Sequence, residues 1–447
     1  MLLNYKLRNI LHWILWIFQN KKESLVSPIL TYSTSILASL IPFALITGPF
    51  LPDLIISLIT IIFLYNAYIN RLTKYFYNPF FKIFALFCIF LIFNSLISET
   101  PLFSLKSSLV YFRFGVFSLA IWFLIDNNSN FIKIFYKGII IGFLIAIADG
   151  SIQYFTGKNL FGYEYEIRLN LLMSDQLLLG NYLSRLFPLL LGLTLLIHKF
   201  DAKRYSIVFF LLILIDVLVF ISGERTALGI MFLSNIFILL LMSKLKIFRL
   251  ITIFFSVLII ILISFASPQI KERNIDLTID QLGLNNETGT YTIFSPKHES
   301  HIISSLLMYK NNFIFGIGPN NFRLNCDKEE YNYNDNSCNT HPHHYYAQLL
   351  GETGTIGIMF ILFILFYFIK SIFTHIGSIF MSRSKHLSDY QVCLYACFLC
   401  TLFPLFPSLN FFNNWINIVY YLPVGFYLHT LYSDKNSMEK LPKKNSI

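Results

Sequence analysis

The sequence predicts an all-α protein that crosses a membrane many times. Hydrophobic residues make up 55% of its 447 residues and charged residues 13%, and the mean hydropathy is +0.62. Apolar runs of about 20 residues, the length needed to cross a bilayer, recur from one end to the other. These runs are unbroken and lack the alternation of a transmembrane β-barrel, so the barrel class is rejected.

Apolar windows place about twelve spans along the chain, and an even number puts both ends on one side of the membrane. Residues 1–24 carry basic residues around a short apolar patch with no small-residue cleavage site. We therefore expect an interfacial helix there, rather than a cleaved signal. The predicted spans are 28–47, 50–69, 83–98, 108–125, 132–154, 180–198, 205–221, 224–242, 249–266, 354–372, 389–408 and 415–432.

The basic residues fall on alternate connections, which the positive-inside rule assigns to the cytoplasm together with both termini. The formal net charge of +10 is then a topology signal and an attraction to anionic lipid, and nucleic-acid binding is not needed to explain it. The residues that set this topology are Arg71, Lys74, Lys82, Lys133, Lys137, Lys199, Lys203, Arg204, Lys244, Lys246, Arg249, Lys370, Arg383, Lys385 and the tail from Lys435 to Lys444.

One external connection, from about 267 to 350, is far longer than an ordinary link between helices, which indicates a function of its own. We divide the chain accordingly into an N-terminal bundle of about nine spans (1–266), a catalytic loop (267–350) and a C-terminal bundle of about three spans with a cytoplasmic tail (351–447).

Cys326 and Cys338 are the only cysteines of this external loop. A disulfide between them is the simplest interpretation in an oxidising compartment, and it could stabilise the loop by about 3 kcal/mol. Such a bridge would restrain the segment that carries the loop histidines. Two free thiols are the alternative, which we favour less because an exposed thiol there is a liability.

Charged residues within the spans gather at the level of the outer leaflet. Burying each costs at least a few kcal/mol unless it is paired or faces a wet cavity. Arginines such as Arg113, Arg185 and Arg225 around one external cavity predict an anionic ligand, and the diphosphate of a lipid in the outer leaflet fits well. The alternatives are ion pairing by Asp149 or Asp216, or arginines that extend to the interface.

The long polar segment closes with the stretch Asn339 to Gly354, which contains His341, His343 and His344. An imidazole here could face the lipid head group, or it could simply cap the helix that follows. Glu352 and Gln348 could orient an imidazole, although a helix-surface position explains them equally well. A metal site is a weaker hypothesis, because the spacing aims the rings in different directions and no nearby Cys or Glu completes a set.

Three ordered parts of the chain resemble the O-antigen ligase and O-antigen polymerase superfamily of bacterial envelope glycosyltransferases. Each is weakly specific alone, and together in this order they are fairly specific. They are Asp149 to Gly157 leading to Gly180 to Arg185, the turn from Ser222 to Thr226, and the loop end from Phe315 to Pro319 followed by His341 to Gly357.

The resemblance implies transfer of a glycan from an undecaprenyl-diphosphate carrier, without a metal or another cofactor. Carried over to this sequence, it implies that Arg185 and Arg225 hold the diphosphate and that His343 acts on the acceptor hydroxyl. His344 stands where the family usually has Asn, so the role of that position is open. We also expect Arg113, His341 and Arg323 to bind substrate.

The residue types suit this chemistry. A sugar hydroxyl is a poor nucleophile at neutral pH, and an imidazole that takes its proton typically accelerates the step by about a hundredfold or more. Guanidinium groups can stabilise the charge that develops on the leaving diphosphate, so a magnesium ion is not required.

Two classes of function follow. The favoured one is a ligase in the bacterial inner membrane that joins O-antigen to lipid A-core at its periplasmic face, with an O-antigen polymerase or a protein O-oligosaccharyltransferase as alternatives that differ in acceptor. The other class is a transporter of an anionic substrate, since about twelve spans is a common transporter size. A transporter should show related halves with polar interruptions near mid-membrane, whereas these charges gather at the outer level.

Overall fold

A computed structural model describes residues 27–197, 202–281, 293–381 and 386–432, and it confirms the all-α membrane fold. Within these ranges the chain forms helices and turns, with only isolated bridges such as Lys158 to Glu164 in place of strands. The predicted interfacial helix at 1–24, the tail from Lys435 to Lys444, and the basic residues Lys199, Arg383 and Lys385 lie outside the described residues.

Short 3₁₀ and π segments occur at Thr73–Tyr75 and Glu272–Asp276, respectively. The α-helices are numbered in chain order. They are α1 (Pro28–Ser39), α2 (Ile41–Ile46), α3 (Phe50–Ile69), α4 (Pro79–Leu96), α5 (Pro101–Ser108), α6 (Phe112–Asn127), α7 (Phe131–Thr156), α8 (Leu179–Ile197), α9 (Ala202–Ile221), α10 (Arg225–Leu241), α11 (Lys246–Ala266), α12 (Pro268–Lys271), α13 (Leu277–Gln281), α14 (Pro296–Asn311), α15 (Phe322–Asn325), α16 (Tyr345–Phe380), α17 (Asp389–Leu402) and α18 (Asn414–Tyr432).

Each predicted span falls on a helix, and the first falls on α1 and α2 together. Within the described part of the chain, 8 segments are long and apolar enough to cross a membrane. Shorter apolar helices lie at Ser206–Ile221, Arg225–Leu241 and Asp389–Leu402. The protein is therefore a multi-pass membrane protein.

Local capping explains where several helices begin and end. Asn78 precedes Pro79, and its side chain accepts a hydrogen bond from the Phe81 amide at 2.9 Å, which satisfies one of the free donors at the start of α4. At the start of α17, Ser388 and Gln391 form a reciprocal capping box. Gly157 ends α7 in the left-handed conformation, with φ of 82°.

Arg249 corrects one detail of the predicted topology, because it is buried within the bundle and not part of an exposed cytoplasmic connection. Its guanidinium makes a 2.7 Å ion pair with Asp216 of α9. Nε and Nη1 donate to Asn235 and Thr252, each at 2.9 Å. Asp216 thus neutralises an arginine, which is one of the alternatives that the sequence leaves open.

The N-terminal part of α16 is shaped by a break in the helix at Gly354, which has φ of 63° and ψ of −163°. There the Thr355 amide donates to the Phe313 carbonyl at 2.9 Å, so the loop that precedes α15 runs beside the break. Gly316 and Gly318 adopt positive φ of 68° and 104° in this loop, a conformation that glycine takes more readily than residues with a side chain. The Gly318 amide donates to the Glu352 carbonyl at 2.9 Å. This pairing fixes the loop against the helix that follows the histidines.

Candidate active site

Four histidines meet where α14 approaches the loop end before α16. Ring centroids lie 4.1 Å apart for His341 and His343, 5.0 Å for His298 and His343, and 5.4 Å for His301 and His343. His298 and His301 are three residues apart on α14, so they share one helix face. His343 therefore lies at the centre of the cluster, with the other three rings around it.

His343 has an unusual backbone for a residue with a side chain, since its φ is 54°. The left-handed region is disfavoured for such residues and occurs often at functional sites. The Ser408 amide holds the loop in place by donating to the His343 carbonyl at 2.8 Å. The His343 ring makes no hydrogen bond to any described residue, so its nitrogens are free for a ligand.

The structure indicates the role of His344, which stands where the family usually has Asn. Its Nδ1 accepts a hydrogen bond from the Ala347 amide at 3.2 Å, and its Nε2 donates to the Pro404 carbonyl at 2.7 Å. His344 is thus the N-cap of α16, a task for which Asn is also well suited. The capping role that the sequence offers as an alternative for His343 belongs to its neighbour.

Burial lowers the pKa of the clustered histidines, and their neighbours lower it further. The pKa of His343 falls to about 3, first through burial and then through repulsion by His341, His298 and His301. Burial likewise lowers the pKa of His298 and of His341 to about 4 each. The rings are therefore neutral at pH 7, and each can accept a proton.

Three half-buried arginines lie together beside the cluster. Arg168, Arg225 and Arg273 are close enough to repel one another, and Arg225 also repels a protonated His298. Arg225 donates to the Leu277 carbonyl and Arg273 to the Gly223 carbonyl, both at 3.3 Å. None of the three forms an ion pair within the described residues. This arginine trio places net positive charge next to His298, although Arg168 is also close enough to Glu224 to attract it.

Glu224, adjacent to the arginine trio, is buried and hydrogen-bonded within the protein. Only 4% exposed, it accepts hydrogen bonds from the Gly180 amide at 2.6 Å and the Asn181 side chain at 2.5 Å, which caps α8. Asn181 in turn accepts from Nε of Arg185 at 3.2 Å. The turn that carries Arg225 therefore also orients Arg185.

Arg185 is 4% exposed and donates through Nη1 to the Cys400 carbonyl at 2.7 Å. Its guanidinium lies 5.5 Å from the centroid of the Tyr420 ring. Tyr420 and Tyr345 line an apolar cavity of about 300 Å³ between α4, α16, α17 and α18. Arg185 thus contacts a residue that lines a mostly aromatic cavity, and no contact joins Arg185 directly to His343.

Arg113 and Arg323, the other arginines expected to bind substrate, differ in their surroundings. Arg113 makes a 2.7 Å ion pair with Asp53, so its substrate-binding role stays a prediction. Arg323 is exposed and lines a polar cavity of about 490 Å³ together with His341. Arg323 and His341, both expected to bind substrate, therefore line the same cavity.

The loop around this cavity is held by a disulfide and by Glu352. Cys326 and Cys338 are joined by a disulfide, with Cα atoms 5.1 Å apart. Glu352 is buried, and its carboxylate accepts from the Asn320 and Phe322 amides, each at 2.9 Å. Glu352 thus orients the loop that carries Arg323. It is not a helix-surface residue, and its carboxylate bonds to this loop and not to an imidazole.

Sequence reasoning missed His298, His301, Arg168 and Arg273. The pair on α14 has the helical spacing of a shared face, but its nearness to His343 arises only in the tertiary structure. Arg168 and Arg273 lie outside the predicted spans, where a charged residue is common and does not by itself indicate a functional site. Within the described residues, no group of three His, Cys, Asp or Glu side chains could hold a metal ion.

A family model described as O-antigen ligase matches residues 207–362. The match runs from α9 into α16 and covers Arg225, Arg273, Arg323 and the four clustered histidines. It confirms the resemblance to the O-antigen ligase superfamily and supports, at the level of the family, a membrane glycosyltransferase. No curated protein matches the chain.

Proposed function

We propose that the protein is a ligase that transfers a glycan from undecaprenyl diphosphate to a lipid A-core acceptor. The observation that carries this proposal is the position of His343, which lies among neutral imidazoles beside an arginine trio that forms no ion pair with the described residues. A base next to unpaired guanidinium groups suits a reaction in which a hydroxyl loses a proton while a diphosphate leaves.

The donor site has a place for a charged head and a place for an apolar tail. The arginine trio offers guanidinium forks that match phosphate oxygens, and α13 helps to hold it through the Leu277 carbonyl. The aromatic cavity beside Arg185 suits an isoprenoid chain. We therefore assign the diphosphate to Arg225 with Arg168 and Arg273, and we assign Arg185 to the junction of head and tail.

In the reaction step, the acceptor oxygen forms a bond to the anomeric carbon of the glycan. The bond from that carbon to the diphosphate oxygen breaks, and its electron pair leaves with the lipid diphosphate. His343 takes the proton of the acceptor hydroxyl and later releases it to water or to the diphosphate. Because a bound diphosphate is anionic, it raises the pKa of the nearby imidazole and makes His343 a stronger base when the donor is present.

The reaction needs no cofactor in this scheme, since guanidinium groups stabilise the leaving diphosphate. We place the site at the periplasmic face of the bacterial inner membrane, with both termini in the cytoplasm, as the basic connections favour. An O-antigen polymerase or a protein O-oligosaccharyltransferase would use the same donor chemistry with another acceptor.

The test is lipopolysaccharide banding in a ligase-null host and, separately, in a polymerase-null host. Each host expresses the wild-type protein or His343→Ala beside a matched O-antigen gene cluster, and membrane insertion is confirmed by blotting. The expected result is capped lipopolysaccharide in the ligase-null host, lost with His343→Ala. A ladder that returns only in the polymerase-null host would establish the polymerase, and no rescue of either host by inserted protein would contradict O-antigen transfer.

A further inference from the structure

The polar cavity beside His341 is a second site with its own charge and hydrogen-bonding character. It lies between the end of α5, the loop that carries Arg323, and the segment that precedes α18. Its lining includes two cations, Lys106 and Arg323, and four asparagines, which are Asn320, Asn410, Asn413 and Asn414. With about 490 Å³, it is large enough for a sugar residue with substituents.

Although the buried Glu352 lies close enough to Arg323 to attract it, the charged residues that line this cavity are all positive. No Asp or Glu lines it, and neither Lys106 nor Arg323 forms an ion pair in the part of the chain that the structure describes. By contrast, Lys328 of the same loop is paired with Glu99 at 2.7 Å. Two cations that share a cavity without a carboxylate favour an anionic ligand.

The asparagine wall is ordered in advance. Asn410 donates to Asn320 at 3.0 Å and accepts from Gln348 at 2.9 Å. Asn320 also accepts from Arg323 at 3.3 Å, so one network fixes the wall and the cation. Amide groups both donate and accept hydrogen bonds, as the recognition of sugar hydroxyls requires.

The cavity and the arginine trio approach His343 through different neighbours. His341 lines the cavity, and its ring is 4.1 Å from His343. His298, which is the histidine close to Arg225, lies 5.0 Å from His343. The arginine close enough to affect His341 is Arg323. His343 therefore lies between two separate positive sites.

We propose that this cavity binds the acceptor and that the acceptor sugar carries an anionic group, a phosphate or a carboxylate, between Lys106 and Arg323. The asparagines bind the sugar hydroxyls, and the hydroxyl that becomes glycosylated reaches His343 past His341. This proposal rests on the proposed glycosyltransfer, because it names the chemical class of the second substrate.

The test measures acceptor binding directly, so that it does not depend on turnover. Rough lipopolysaccharide from a ligase-null host is titrated onto the protein in nanodiscs, in its native form, after dephosphorylation and after carboxyl reduction. The variants are Lys106→Gln with Arg323→Gln, the charge-keeping pair Lys106→Arg with Arg323→Lys, and the control Lys328→Gln. Empty nanodiscs correct for partition into the lipid.

We expect the double glutamine variant to bind the acceptor at least about tenfold more weakly than the wild type, since charge-assisted hydrogen bonds are lost. The charge-keeping pair should retain most of the affinity, and Lys328→Gln should match the wild type. Weaker binding of the dephosphorylated acceptor would identify the anion as phosphate, and weaker binding of the carboxyl-reduced acceptor would identify a carboxylate.

Equal affinity of the wild type and the double glutamine variant would overturn the proposal. Equal affinity for all three acceptor forms, or no binding by the wild type, would do the same. Glycan transfer by the wild type is followed in the same samples with undecaprenyl-diphosphate-linked glycan as donor. If transfer proceeds while binding ignores Lys106 and Arg323, the cavity assignment alone is wrong; without transfer to any acceptor form, the proposed function is wrong.

Discussion

Arg249 and Arg225 lie near the starts of successive helices, yet the protein treats their charges in opposite ways. Arg249 is 1% exposed and has Asp216, Asn235 and Thr252 within 2.9 Å of its three nitrogens. Arg225 donates to one carbonyl at 3.3 Å, forms no ion pair with the described residues, and lies close to two further arginines. The buried charge of Arg249 is neutralised by the protein, whereas Arg225, which we propose binds the diphosphate, has no ion-pair partner among the described residues.

The adjacent histidines differ in the same manner. Both ring nitrogens of His344 are occupied, one by the Ala347 amide and one by the Pro404 carbonyl. His343 makes no such bond with the described residues, and its backbone is held in a disfavoured conformation with φ of 54°. The contrast separates a residue that begins a helix from the residue that we propose faces the substrate.

The largest expected effect is from His343→Ala, which should lower the transfer rate by at least about a hundredfold because the general base is lost. His344→Asn is the matched control, since Asn can accept the same hydrogen bond at the start of α16 and should keep most of the activity. Initial rates in nanodiscs measure both. Comparable losses in the two variants would remove the distinction between these neighbours.

Arg225→Lys should lower kcat/KM by about tenfold or more, because lysine keeps the charge and loses the two-pronged geometry for phosphate. Arg249→Lys should lower the melting temperature and leave the activity of the folded protein near wild type. Thermal unfolding and steady-state kinetics on both variants check the pair. Wild-type kinetics in Arg225→Lys would remove it from the diphosphate site.

Stability should fall as the pH is lowered through the range set by the histidine cluster. The pKa is lowered from 6.5 to about 3 for His343 and to about 4 for His298. Below pH 6.5 the unfolded chain therefore binds more protons than the folded protein. The contribution of these rings is present above about pH 6.5 and is lost as the pH falls towards 4.

Melting temperatures between pH 7.5 and 4.5 measure this effect in the wild type and in His298→Gln with His301→Gln. The variant should lose less stability on acidification, because it lacks two of the four rings that must be protonated. An identical pH dependence of the two proteins would show that the cluster does not titrate as described.

The smallest effect on activity is expected at Arg113 and its partner. Removing both charges, with Arg113→Met and Asp53→Leu, should leave donor binding near wild type, because the ion pair can be replaced by apolar packing at little cost. Arg113→Met alone should destabilise the protein, since it leaves Asp53 without a partner. Loss of donor affinity in the double variant would restore the substrate-binding role expected from the sequence.

The spans could be predicted from the sequence because the length and polarity of an apolar run are local properties. The loop end with His343 could be found as well, since its residues are contiguous. The ion pairs of Arg113 and Arg249 could not, because each joins residues from different helices. The same reason hides His298, His301, Arg168 and Arg273, whose nearness to the site arises only when segments far apart in the sequence meet in the tertiary structure.

The most direct test of the proposed role of the arginine trio is the binding of undecaprenyl diphosphate to the protein in nanodiscs. The wild type is compared with a variant that carries Arg168→Gln, Arg225→Gln and Arg273→Gln, and with the Arg113→Met and Asp53→Leu variant as the control. We predict that the glutamine variant binds at least about tenfold more weakly and with less dependence on salt, while the control binds like the wild type. Equal binding by the wild type and the glutamine variant would contradict the assignment of the arginine trio to the lipid diphosphate.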